Sequence, residues 1–187
     1  MKRLNICIDI DGTITDPYHF LPYLNNICDK EMKPEDWTTY NWDILYGKEI
    51  SELLSIFHTD YIKCYGEAEV VQYAKEVIEE LNIDNNLYFV TARSSVLEDI
   101  TRKWLDDKGF NSIDVHLLGS DYKIEKAREL ECTIFIEDNP ANALQLANEG
   151  IKVLLINTNY NTNLCHENIT RVNHWNDIKD YVLSYNI

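Results

Sequence analysis

No CxxC pair occurs in this chain. Its five cysteines, Cys7, Cys28, Cys64, Cys132 and Cys165, are odd in number and widely spaced. That pattern argues against a zinc site or a disulfide framework, and for reduced, mostly buried thiols in a cytoplasmic protein. Positive charge is also scarce. Lys and Arg number 17 against 32 Asp and Glu, a formal net charge of −15. Nucleic-acid backbones and anionic membrane surfaces are thereby excluded as main partners. No stretch is long and apolar enough to cross a membrane. The opening MKRLNICIDI has a basic flank, but its apolar run is short and carries Asp9. It reads as a first strand, not a signal peptide. There is no internal repeat and no low-complexity tract.

What is present is ordinary globular material: 187 residues, 45% apolar and 26% charged. This suits one compact domain with an inserted subdomain. Four near-continuous apolar runs stand out, at 4–10, 87–92, 132–138 and 151–157, with a weaker fifth at 113–118. Continuous runs are expected of strands covered on both faces. Helical spacing fills the gaps. Val70, Val71, Ala74, Val77, Ile78 and Leu81 mark one helix. Leu97, Ile100, Trp104 and Leu105 mark another, ended by Gly109. YKIEKAREL and NPANALQLANEG follow, the second with Pro140 near its start. The alternation predicts an α/β fold: a Rossmann-like open parallel sheet with helices on both faces.

Residues 13–66 break the rhythm. They hold nearly half of the aromatics, among them Tyr18, Phe20, Trp37, Tyr40, Trp42, Phe57 and Tyr65. The segment reads as a small helical cap inserted after the first strand, with residues 1–12 and 67–187 as the core. Residues 157–174 are polar and Asn-rich and read as a long loop. A last helix follows, with Trp175, Ile178 and Val182 on one face.

Polar residues collect where the strands end. Asp9 and Asp11 follow the first strand, Thr91 and Arg93 the second, Glu137 and Asp138 the fourth. Lys123 opens the helix before that fourth strand. In a parallel sheet all of them can face one crevice. A divalent cation explains paired carboxylates in so acidic a chain, and Mg²⁺ takes hard oxygen ligands of this kind. An EF-hand calcium loop does not fit, because the glycine comes too early and no glutamate closes the loop.

DIDGT, VTAR, Lys123 and IEDNP, in this order, resemble the four signature motifs of the haloacid dehalogenase superfamily. The resemblance spans the whole Rossmann-like core. It implies Asp9 as the nucleophile that forms an aspartyl-phosphate, and Asp11 as general acid and base. It implies Mg²⁺ held by Asp9, Asp138 and the backbone carbonyl of Asp11, with Glu137 reached through water. Thr91 and the backbone N–H groups around Gly12 would bind phosphoryl oxygens, and Lys123 would neutralise their charge. Lys126, one helical turn on, is the rival lysine. Repulsion from Asp9 is expected to keep Asp11 protonated for the leaving group.

Asp11 favours hydrolysis of a phosphate ester, since the superfamily's dehalogenases and phosphonatases lack that acid. The short aromatic cap and the ending NYN…RVNHWNDI are similar to the 5′(3′)-deoxyribonucleotidase family and its bacterial nucleotidase relatives. A nucleoside monophosphate is the substrate this implies, with a homodimer left open. Phe20 and Tyr18 follow the catalytic loop closely and are candidates to touch substrate; Trp42 and Trp37 are further ones. Asn161 is a candidate to close the site. Arg93 stands where other members carry an uncharged residue. It would hold a second anionic group or pair with a carboxylate. The residues leave other readings open: a phosphatase of another small ester such as a sugar phosphate, a non-catalytic metal- or nucleotide-binding module, or phosphoryl transfer to another acceptor.

Overall fold

The computed structural model describes residues 3–185. Six strands form one parallel sheet: β1 (Asn5–Ile8), β2 (Asn86–Thr91), β3 (Asp114–Leu117), β4 (Ile134–Glu137), β5 (Lys152–Ile156) and β6 (Ile169–Val172). Their spatial order is β3-β2-β1-β4-β5-β6. The chain steps outward from β1 to β3, then returns to lay β4 on the other side of β1. The order reverses between β1 and β4, which is where such a sheet opens a ligand crevice.

Among the described residues the helices are α1 (Leu21–Cys28), α2 (Trp42–Tyr46), α3 (Ile50–Thr59), α4 (Cys64–Glu67), α5 (Ala74–Asp84), α6 (Glu98–Lys108), α7 (Ile124–Glu129), α8 (Pro140–Asn148) and α9 (Trp175–Tyr185). Their placement explains the continuous apolar strands. Ile6, Ile8, Ile134, Ile136 and Leu154 share one core with residues of α5, α6 and α9. Cys7, Phe135, Val153 and Leu155 face the other way, into a core shared with α7 and α8. Successive side chains feed opposite cores, so neither parity can be polar. Gly109 ends α6 with φ +89°, as its place in the sequence implies.

Two expectations change. The helix expected from residue 70 begins at Ala74, because Val70 pairs with Thr15 in an antiparallel bridge and the Val71 N–H donates to the Ile14 carbonyl. That bridge ties down the segment just after DIDGT. The expected loop 157–174 contains β6, which pairs with β5. β6 reads Ile-Thr-Arg-Val and only Val172 is buried, so this edge strand carries no apolar run.

Residues 13–66 supply α1–α4 and most of a third apolar cluster, built on Phe20, Leu24, Trp37, Tyr46, Leu53, Phe57 and Tyr65. Leu97 and Tyr160 join it from outside the segment. Phe57 is fully buried and meets Phe20 edge-on at 5.5 Å. Most of the aromatics therefore pack on one another. No helix among the described residues is long and apolar enough to cross a membrane.

Candidate active site

Strand register decides which side chains meet. Ile8 lies beside Phe89 of β2 and Ile136 of β4. Continued past the strand ends, these pairings set Asp9 beside Glu137 and Asp11 near Arg93. The Asp9 N–H still donates to the Ile136 carbonyl, at 3.0 Å.

Lys123, just ahead of α7, reaches into this corner and is only 2% exposed. Its Nζ donates to Asp9 Oδ1 at 2.6 Å and to Glu137 Oε2 at 2.9 Å. Burial alone would lower the lysine's pKa, but the two carboxylates outweigh it and hold the ammonium above its usual value. Lys126 instead pairs with Glu129 at the surface. The fold thus separates the two lysines that the sequence left as rivals. The second oxygen of Glu137 accepts from the Asn139 N–H and the Asn142 amide, at 3.2 and 3.3 Å.

Asp138 is held differently. Thr13 Oγ1 donates to its Oδ1 at 3.0 Å and the Tyr160 hydroxyl to its Oδ2. The Asn161 amide donates to its backbone carbonyl at 2.8 Å. Gly12 makes room for it with φ +83°, since a Cβ there would sit 2.4 Å from Asp138 Oδ2. The Gly12 N–H, expected to face a phosphoryl group, donates to Thr15 Oγ1 at 3.1 Å. The Thr13 N–H donates to the Ile10 carbonyl at 3.3 Å. Both are consumed in closing the tight turn.

Asp9, Glu137 and Asp138 each offer an oxygen, and these lie within 4.8 Å of one another. Three carboxylates against one ammonium leave an excess of two negative charges in a buried corner. Burial raises all three, and Lys123 opposes it without cancelling it at Asp9 and Glu137; repulsion adds to the rise, from Asp11 on Asp9, from Asp9 and Asp138 on Glu137, and from Asp9 on Asp138, which is pushed up to about 7. Hard oxygen donors with uncompensated charge fit a divalent cation. The residues present therefore suit the metal that the motifs imply.

Asp11 pairs with Arg93, one of the two roles the sequence left open for that arginine. Arg93 grips both its oxygens, Nε to Oδ2 at 2.8 Å and Nη2 to Oδ1 at 2.7 Å. The guanidinium is buried, donates to Thr101 Oγ1 at 3.0 Å, and lies over the rings of Tyr65 and Trp104. Thr91 is buried and its Oγ1 accepts from the Arg93 N–H at 3.2 Å.

Beside Asp11 and Arg93 opens a cavity of about 550 Å³. Phe20, Trp42, Tyr40 and Tyr65 form its aromatic wall, and Ile50 and Leu54 extend it. Tyr18 does not line it. Its hydroxyl accepts from the Asn159 N–H at 3.0 Å and its ring packs against Trp37 and Tyr160. Trp37 is buried in the aromatic cluster and lines only a small gap beside Gly12 and Asp138. Sequence reasoning did not single out Thr13, Tyr40, Tyr65 or Tyr160 as site residues. Thr13 had a signal, as the last residue of DIDGT. Tyr160 lay inside the quoted NYN ending, which drew attention to its neighbour Asn161 instead.

Comparison with known proteins gives the family and the fold. The family described as 5′ nucleotidase, deoxy (pyrimidine), cytosolic type C protein matches residues 3–186. The nucleotidase CA_C3379 of Clostridium acetobutylicum is 37% identical over 178 residues, covering 95% of this chain and 93% of that protein. YqfW of Bacillus subtilis is 35% identical, covering 92% of this chain and 90% of its own. Among solved structures, the haloacid dehalogenase-like hydrolase SP0104 of Streptococcus pneumoniae shares the fold, with a TM-score of 0.67 at 16% identity and 99% of each chain covered. The magnesium-bound YfnB of Bacillus subtilis does so at 0.66 and 14%, covering 100% of each chain.

The burial of Asp138 beside Asp9 has a measurable consequence. Asp138 holds its proton more tightly folded (about 7) than a free aspartate does (about 3.9). Its contribution to stability is complete below about pH 4 and is lost as the pH rises through about 7. Metal-free protein is therefore expected to melt lower at pH 8 than at pH 5.5. Asp138→Asn should flatten that decline and melt above the wild type at pH 8. Melting curves recorded in chelator across this range check it, and identical profiles for the two proteins would contradict it.

Proposed function

Because the chain belongs to the 5′ nucleotidase, deoxy (pyrimidine), cytosolic type C family, within the haloacid dehalogenase superfamily of hydrolases, we propose that it is a Mg²⁺-dependent phosphomonoesterase acting on nucleoside 5′-monophosphates, deoxyribonucleotides foremost. One observation carries the mechanism. Asp9, anchored by buried Lys123, stands beside Glu137 and Asp138 at the sheet's switch point. Asp11 adjoins that corner, on the wall of an aromatic-lined cavity.

Asp9 attacks phosphorus and the ester oxygen leaves, taking a proton from Asp11 once that carboxyl turns from Arg93. The resulting aspartyl-phosphate is opened by water, whose proton returns to Asp11, and inorganic phosphate departs. Lys123 holds the Asp9 carboxylate in one orientation and offsets charge on the phosphoryl oxygens. The Thr91 hydroxyl keeps its hydrogen for one of those oxygens. Asp9, Asp138 and the Asp11 carbonyl would hold Mg²⁺, with Glu137 reached through water. Bound there, the ion reduces the repulsion between carboxylate and phosphoryl group.

Residues 13–66 act as the cap over a core of 1–12 and 67–187. Phe20 and Trp42 offer aromatic faces to a nucleobase. Arg93 is the one Lys or Arg on the cavity wall among the described residues, and Asp11 occupies it. Asp43 and Asp121 also line the cavity. That electrostatic setting favours substrates whose only anionic group is the phosphate. Five free cysteines suit a reducing compartment, the cytoplasm.

Asp9→Asn is expected to abolish turnover while the protein stays folded by circular dichroism; retained hydrolysis would refute Asp9 as nucleophile. Asp11→Asn should cost about 10²–10⁴-fold on a nucleoside monophosphate, whose leaving group needs a proton, and far less on p-nitrophenyl phosphate. An equal loss on both would argue against Asp11 as the acid. A Mg²⁺-supported phosphate-release screen over nucleoside monophosphates and sugar phosphates tests the substrate. Activity confined to sugar phosphates would overturn the nucleotidase reading.

A further inference from the structure

The stretch 159–161 grips the aromatic segment and Asp138 at once. The Asn159 N–H donates to the Tyr18 hydroxyl at 3.0 Å, and its amide donates to the Pro34 carbonyl at 2.8 Å. The Tyr160 ring meets Tyr18 and Tyr40 edge-on, at 6.2 and 5.6 Å, while its hydroxyl donates to Asp138. Asn161 donates from one amide to the carbonyls of Asp138 and Ile156, both at 2.8 Å, and Arg171 donates back to its Oδ1 at 3.2 Å.

The electrostatics give this arrangement its meaning. Lys123 bonds directly to Asp9 and Glu137. Both side-chain donors on Asp138, Thr13 and Tyr160, are neutral hydroxyls. Neutral donors fix a carboxylate's direction without cancelling its charge, which stays available to a cation. Such outer partners commonly set metal affinity. Tyr160 is buried beside the Asp138 carboxylate.

We propose that Tyr160 is a positioning residue that aims the Asp138 carboxylate at the cation and ties that aim to the aromatic segment through Tyr18 and Tyr40. This rests on the cation site read above. Neither the fold nor the motifs demand it, since Tyr160 lies outside all four motifs and enters the site from a loop. By linkage, whatever steadies the aromatic segment also steadies the cation site, and the reverse holds equally.

Mg²⁺ binding to the full-length chain, measured by isothermal titration calorimetry, tests this without reference to turnover. Tyr160→Phe keeps the ring and removes the hydroxyl. It is expected to weaken Mg²⁺ binding about 10–100-fold, with the metal-free melting temperature little changed. Tyr18→Leu touches no proposed ligand. It should weaken Mg²⁺ binding in the same direction by a smaller factor, because the ring is steadied from that side. Unchanged Mg²⁺ affinity in Tyr160→Phe would overturn the positioning role, even if the variant melts lower. Unchanged affinity in a folded Tyr18→Leu would overturn the link to the aromatic segment. Failure of the wild type to bind Mg²⁺ would overturn the cation site itself, and this inference with it.

Discussion

Everything in this site depends on one buried ammonium. Lys123 bonds to Asp9 and Glu137 from a position that is almost entirely out of solvent. Removing one partner of such an arrangement leaves an uncompensated buried charge, which costs several kcal/mol, about 3–5. The pairing therefore constrains β1, β4 and the start of α7 together. It fixes Asp9 in direction while leaving the corner short of positive charge. That deficit suits the corner to the cation and phosphate ester proposed for it. A structure evolved only for stability would have filled it with apolar side chains, as the two cores on either face of the sheet are filled.

A second ion pair keeps the two DIDGT carboxylates apart in role. Asp9 faces Lys123, and Asp11 faces Arg93. Each cation comes from a different element, Lys123 from the start of α7 and Arg93 from the end of β2. The two aspartates are separated by a single residue, yet they answer to different parts of the fold. Gly12 makes this possible by letting the chain turn sharply against Asp138, in a space that no side chain could share.

Much of this was legible in the sequence because it is local. Continuous apolar runs mark strands covered on both faces, and acids placed just after them must lie at the sheet's carboxyl edge. Asp9 and Asp138 follow their strands directly, and Thr91 and Glu137 are the last residues of theirs. Lys123 was less legible, since its spacing from Lys126 is one helical turn and only tertiary packing separates a buried lysine from a solvated one. β6 was missed because an edge strand with one buried residue needs no apolar run. The start of α5 was misplaced because pairing between Val70 and Thr15 overrode helical spacing. The partnership of Asp11 with Arg93, across 82 positions, follows from strand register, which residue spacing does not reveal. The contact of Tyr160 with Asp138 was hidden for the same reason, although NYN itself was noticed. The importance of Tyr160 comes from where its loop lands, not from any pattern around it.

The account turns on Asp9 as the group that takes the phosphoryl group. Acid-quenching the enzyme during turnover of a nucleoside monophosphate, then reducing with borohydride, converts an aspartyl-phosphate into homoserine. Peptide mass spectrometry locates that change. The account predicts it at position 9 and nowhere else. Modification at position 11, or turnover that continues with no modified aspartate in the trapped enzyme, would contradict it.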